Sequence, residues 1–198
     1  MRARMALAAS GLTVRVREII LREKPPEMLV ASPKGSVPVL VLTDGRVIDE
    51  SLDIMYWALA QNDPDGWLSA DADEVADLIG QNDGPFKYAL DRYKYAERYQ
   101  SDAAEHRAAG LEILEGFAQR LTVRGGQLMG ASPTLADIAI FPFVRQFAAT
   151  DKAFWTASAP ASLQAWLSGH TTSARFAAIM ARFPLWKPGD TELLLNAP

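Results

Sequence analysis

Four groups of side chains in this 198-residue sequence have types and spacing that can do chemistry or anchor something that does. The first is Glu50-Ser51, placed where a strand pattern gives way to a helix pattern. A helix N-terminus attracts carboxylates through its free N–H groups and its dipole, and Ser51 reads as its N-cap. Glu50 beside it can hold an ammonium. Together they suit a ligand carrying an amine and a carboxylate on one carbon, although taken alone a plain cap is the simpler reading of Ser51. The second is Val37-Pro38, just ahead of an apolar run. Proline cannot donate to a strand ladder, so it marks a strand start or an edge. A cis bond there leaves the Val37 N–H and C=O free to bind something, whereas a trans proline is only a strand start. The third is Thr134 and Asp137, spaced as a capping box, which points to helix nucleation rather than to reaction chemistry. The fourth is the aromatic set Phe86, Tyr88, Tyr93 and Tyr95. Helical spacing makes the whole set first a core or interface stripe, with Phe86 and Tyr88 as candidates for lining an apolar pocket.

What is absent narrows the chemistry. The sequence holds no cysteine, so it offers no disulfide, thiolate metal site or thiol nucleophile. His106 and His170 are its only histidines and lie far apart, which argues against a His-rich metal site or a Ser–His–Asp triad. No metal is expected. A net charge of −4 argues against nucleic acid or an anionic membrane as a partner. Apolar runs such as "LADIAIFPFV" are too short to span a bilayer, and no signal peptide is visible, so the expected setting is cytoplasmic.

The elements that position these residues change character along the chain. Residues 1–10 read as a helix stopped by Gly11, yet nothing supplies an N-cap at Met1. "TVRVREII" alternates as a strand, and "KPPEMLVAS" is a short helical turn. "VPVLVLTDGRVIDES" reads as a hairpin about a two-residue Asp44-Gly45 turn, followed by a helix over "ESLDIMYWALAQN". "NDPDGW" is a breaker cluster. From Asp71 onward only helices are expected: a long amphipathic stretch bending near Gly84-Pro85, another with Leu111, Leu114, Phe117 and Leu121 on one face, the buried "SPTLADIAIFPFVRQFAA", and two more. The fold class is therefore α+β: residues 1–62 form a small mixed domain, 63–70 a linker, and 71–198 an all-helical domain.

The hairpin with "VPVL" and "DES", the linker, and the helical region carrying "TLAD" together resemble the cytosolic glutathione S-transferase superfamily over essentially the whole chain. The opening "MRARMALAASGL" is similar to the first helix of bacterial, omega-like and glutaredoxin-2-like members. The resemblance implies a thioredoxin-like, glutathione-binding N-terminal domain. Val37, before a cis Pro38, would pair with the cysteinyl backbone, Glu50 and Ser51 would hold the γ-glutamyl ammonium and carboxylate, and Lys34 is a looser candidate for the glycyl carboxylate. Glutathione would be the co-substrate. The helical domain would take the second substrate, an electrophile or a glutathionylated or disulfide compound, and the protein would be a homodimer. In the family a Tyr, Ser or Cys at the end of the first strand or the start of the first helix activates glutathione. This sequence begins after that point, so the first strand and the catalytic residue are expected upstream of Met1, and no catalytic residue is assigned within it. The expected function is a glutathione-dependent transferase or thiol–disulfide exchange enzyme. The alternatives are a non-catalytic binding or scaffold protein of the same fold and an unrelated α+β domain.

Overall fold

Eleven α-helices and four short strands make up residues 1–195, the part of the computed structural model described below. In chain order they are α1 (Arg2–Ala9), β1 (Val14–Val16), α2 (Pro26–Ala31), β2 (Leu40–Val41), β3 (Val47–Ile48), α3 (Ser51–Gln61), α4 (Ala72–Gln81), a π-turn (Asn82–Phe86), α5 (Lys87–Lys94), α6 (Ala96–Tyr99), α7 (Ala103–Arg124), α8 (Leu135–Thr150), α9 (Lys152–Ser158), α10 (Ala161–Thr171), α11 (Ala174–Ile179) and β4 (Leu193–Leu195). They divide into two units: residues 1–65 together with 173–195, and Gly66–Thr172.

In the first unit α1 packs against α3 and α11, and most of its residues are buried. It starts at Met1 with no side-chain cap, as the sequence implies, and Gly11 follows its end with φ 71°. The strands form two separate antiparallel pairs, β1 with β4 and β2 with β3. In the second pair Leu40 faces Ile48 and Val41 faces Val47. The hairpin is where the sequence puts it, but its loop has three residues rather than two. Leu42 N donates to Arg46 O at 2.8 Å, leaving Thr43, Asp44 and Gly45 in the turn with Gly45 at φ 87°. A glycine in that left-handed position is the usual closure of a three-residue hairpin.

The strand β4 corrects the expectation of helices alone after Asp71. It pairs antiparallel with β1, Val14 opposite Leu195 and Val16 opposite Leu193. Residues 173–195 thus cluster with the first unit, whereas the sequence reading assigns them to the helical domain.

The second unit is helical throughout, with α8 at its centre, as expected for a helix apolar on nearly every side. Leu135, Ile138, Ile140, Phe141, Val144 and Phe147 are all buried. Thr134 caps α8 in a capping box: Asp137 Oδ2 accepts from Thr134 N at 2.9 Å and from its hydroxyl at 3.0 Å. The helix α7 approaches α8 closely at Gly110, where a Cβ would lie 2.7 Å from the Phe147 ring. The bend expected near Gly84-Pro85 is the π-turn, which contains Pro85.

Candidate functional site

The loop before β2 and the β3–α3 junction are tied together by a small charged network. Ser32 is buried and its hydroxyl donates to Asp49 Oδ2 at 2.7 Å. The Lys34 ammonium donates to Asp49 Oδ1 at 3.1 Å and to Glu50 Oε1 at 2.9 Å. The Ser32 hydroxyl, and after it the Lys34 ammonium, hold the Asp49 carboxyl below the usual carboxylate range. The hydrogen bond to Glu50, and then that to Asp49, push the Lys34 ammonium up. Neither Asp49 nor Ser32 is singled out by sequence reasoning. The only signal for Asp49 is its place in "DES", next to a residue already under suspicion.

The structure sorts the candidate residues. Val37, Pro38 and Ser51 line one cavity of about 520 Å³, also bounded by Leu7 of α1, residues 14–16 of β1, Ile54 of α3 and Leu195 of β4. The Val37–Pro38 bond is cis, so the cis alternative is the one found. Val37 is 48% exposed. Ser51 is not the N-cap of α3. Glu50 holds that position with extended dihedrals and without a side-chain cap bond, and Ser51 is the first helical residue. The α3 N-terminus still offers its first N–H groups to an anion. Lys34, expected to meet the glycyl carboxylate of glutathione, places its ammonium on Asp49 and Glu50. A ligand ammonium at Glu50 would therefore meet a carboxylate with Oε1 already engaged and Oε2 facing no described donor.

The aromatic pair parts company. Phe86 is fully buried and packs against Phe147 with ring centroids 5.7 Å apart, so it is a core residue and lines no open pocket. Tyr88 is exposed, with Arg92 over its ring at 3.4 Å and His106 edge-on at 5.7 Å. The capping-box residue Asp137 is buried and also accepts from Leu128 N at 2.8 Å and from Trp166 Nε1 at 2.9 Å, a purely structural set of partners. Among the described residues no cluster of three or more His, Cys, Asp or Glu has the arrangement of a metal site. No described helix is long and apolar enough to cross a membrane.

Residues 1–67 match the family model of the glutathione S-transferase N-terminal domain, and residues 95–169 match that of the C-terminal domain. Among solved structures the chain is similar to glutathione transferase Omega 3C from Trametes versicolor, with 20% identity over 93% of this chain and 85% of that one and a TM-score of 0.77. It is similar to a glutathione S-transferase from Rhodospirillum rubrum F11, at 23% identity over 95% and 90% of the two chains, with a TM-score of 0.69. A glutathione S-transferase I solved with lactoylglutathione is 24% identical over 90% of this chain and 91% of its own, with a TM-score of 0.72. At these identities the likeness is one of fold.

Proposed function

We propose that this chain, which belongs to the glutathione S-transferase superfamily, binds glutathione at the cavity bordered by Val37, Pro38 and Ser51 and takes part in glutathione-dependent transfer or thiol–disulfide exchange. The observation that carries the reading is that three stretches far apart in sequence, 14–19, 37–40 and 51–54, supply lining to one cavity. The Val37 backbone would pair with the cysteinyl backbone of glutathione as one strand pairs with another. The Ser51 hydroxyl and the first N–H groups of α3 would take the γ-glutamyl carboxylate. Glu50 would take the α-ammonium through Oε2, while Lys34 and Asp49 hold the junction in place. In conjugation the glutathione thiolate forms a C–S bond as the electrophile's leaving group departs with the bonding pair. In exchange a thiolate forms one S–S bond as another breaks and releases a thiolate. A homodimer and a cytoplasmic setting belong to the same proposal.

Calorimetric titration with reduced glutathione tests it. The chain is expected to bind glutathione and to ignore the dipeptide Cys-Gly, which lacks the γ-glutamyl group. Ser51→Ala and Glu50→Gln should each weaken binding about tenfold, the equivalent of about 1.4 kcal/mol. Equal affinity for Cys-Gly, or no binding by a chain that is folded by circular dichroism, would refute the reading. A second reading, a binding protein without catalysis, is favoured by one observation: Ser51 is the only hydroxyl side chain among the described residues lining the cavity. Turnover of an electrophile or a model disulfide by this chain alone would exclude it.

A further inference from the structure

The stretch from α5 to the start of α7 builds a stack of rings and cations on the surface of the second unit. Arg92 lies between two tyrosines, its guanidinium carbon 3.4 Å from the centre of the Tyr88 ring and 4.8 Å from that of Tyr99. Arg98 lies 5.8 Å from the Tyr99 ring centre, and the His106 ring meets Tyr88 edge-on. Local chain geometry makes this stack. Tyr88 and Arg92 stand four residues apart on α5, the spacing that brings two side chains together on a helix face. The helix α6 is a single turn capped by Gln100, which at φ 50° is the one non-glycine residue with positive φ among the described residues. Residues other than glycine enter that region at a cost. Ser101 holds the turn down: its N–H donates to Ala96 O at 3.1 Å and its hydroxyl to Arg92 O at 3.0 Å. Tyr99 is thereby carried back over Arg92.

Neither guanidinium has an ion-pair partner among the described residues. Asp91 holds Lys87, and Asp102 caps α7 by accepting from Ala104 N and Glu105 N, so both carboxylates are committed elsewhere. Stacking on a ring covers the face of a guanidinium and leaves its N–H edge free. That edge takes a carboxylate or a phosphate in two parallel hydrogen bonds. Two such edges flank the one ring of Tyr99, and the exposed Tyr88 and Tyr99 bring hydroxyls that are bonded to no described group. We propose that this stack binds the phosphate group of a small phosphate monoester, with Arg92 and Arg98 as its charged donors. A monoester carries close to two negative charges near neutral pH, which matches two cations without a counter-charge better than a singly charged carboxylate does. The net charge of −4 on the chain opposes a polyanion at long range, which selects a small molecule over a nucleic acid. None of these residues lines the cavity assigned to glutathione, so the two sites stand or fall separately.

The test uses the full 198-residue chain without glutathione, at about pH 7.5, where a monoester is a dianion. The probes are phenyl phosphate, inorganic phosphate and methyl phenyl phosphate, a diester with a single charge. Titration followed by the guanidinium N–H resonances should move those of Arg92 and Arg98, and the diester should bind about tenfold more weakly than phenyl phosphate. Phenyl phosphate should also bind about threefold more tightly than inorganic phosphate, because its ring adds contact with the exposed tyrosines. The reverse order would make the ligand free phosphate and overturn the monoester. Arg92→Met should weaken phenyl phosphate binding about tenfold. Arg92→Lys keeps the charge but loses the planar fork, and should weaken it about threefold. Arg98→Met, at the exposed end of α6, should do the same and serves if Arg92→Met does not fold. Equal binding of the diester, unchanged binding by the variants, or resonances that move only elsewhere in the chain would overturn the proposal. So would absence of binding by a chain with native far-UV dichroism. A concentration-dependent dimer that covers Tyr88 and Tyr99 without any probe would assign the stack to a second copy and would also overturn it. Because the probes carry no γ-glutamyl group, failure here leaves the glutathione reading standing, and the reverse holds.

Discussion

Asp137 is buried at the start of α8 and accepts four hydrogen bonds, two per oxygen: Leu128 N and Trp166 Nε1 on Oδ1, Thr134 N and the Thr134 hydroxyl on Oδ2. In Asp137→Ala the hydroxyl can rotate to another acceptor, but three buried N–H donors lose theirs. Each orphaned buried donor costs about 1–3 kcal/mol, so the substitution should cost about 3–9 kcal/mol. Domain stabilities are about 5–15 kcal/mol, so the loss is a large part of the whole. Urea unfolding followed by far-UV dichroism measures it. With a slope of about 2 kcal/mol/M, a loss of about 4 kcal/mol lowers the midpoint by about 2 M. Trp166→Phe removes one of the four bonds and should cost about 1.5–3 kcal/mol, the range for a bond to a charged acceptor. In the double variant the two losses should not add, because the Trp166 bond can be lost only once. A midpoint shift below about 0.5 M for Asp137→Ala, with the slope unchanged, would refute the claim that this carboxylate organises the helical unit.

Two further outcomes follow from the same unit. Gly110→Ala gains about 1 kcal/mol of helix propensity but sets a Cβ 2.7 Å from a Phe147 ring already held by Phe86, Tyr93 and Trp155. Overpacking of this kind costs about 1–3 kcal/mol, so the melting temperature should fall, and a rise would show that the ring moves freely. His170 is buried between Phe141 and Trp166, and burial lowers its pKa from the ordinary 6.5 against the opposing pull of the Asp137 charge. Below about pH 6.5 the unfolded chain then binds more protons than the folded one, so stability should decline as pH falls through 6.5 and level off below the lowered pKa. His170→Gln should flatten the melting-temperature profile between pH 5 and 7.5, and an unchanged slope would locate the pH dependence elsewhere.

The sequence makes legible those features in which local pattern and tertiary demand agree. The burial of α8, its capping box and the helix stop at Gly11 are of this kind. The helix α3 is found where expected, but its first turn is offset by one residue, because Glu50 rather than Ser51 adopts the extended cap conformation. The strand β4 is not legible. "TELLLNAP" carries no alternation, and its strand state comes from pairing with β1, a partner about 180 residues away in sequence. For Phe86 the core alternative is the one found: it lies seven residues before the buried Tyr93, on one helix face, whereas Tyr88 and Tyr95, also seven apart, share an exposed face.

Three carboxylates beside helix starts show what separates a structural anion from one that can exchange partners. A carboxylate has about four lone-pair sites. Asp137 has all of them in use in a buried setting, so a ligand could reach it only by dismantling the cap of α8. Asp49 divides its oxygens between the buried Ser32 hydroxyl and Lys34, so displacing it would release the loop ahead of β2 from the β3–α3 junction. Glu50 is 61% exposed and holds one partner, the flexible Lys34 ammonium, on one oxygen. An exposed pair of this kind is worth about 0–1 kcal/mol, so trading Lys34 for a ligand ammonium costs little. All three lie in stretches that the sequence marks as helix starts. Burial and donor count single out Glu50 as the one that can change partners without disturbing the fold, and that makes it the carboxylate to substitute when ligand binding is tested.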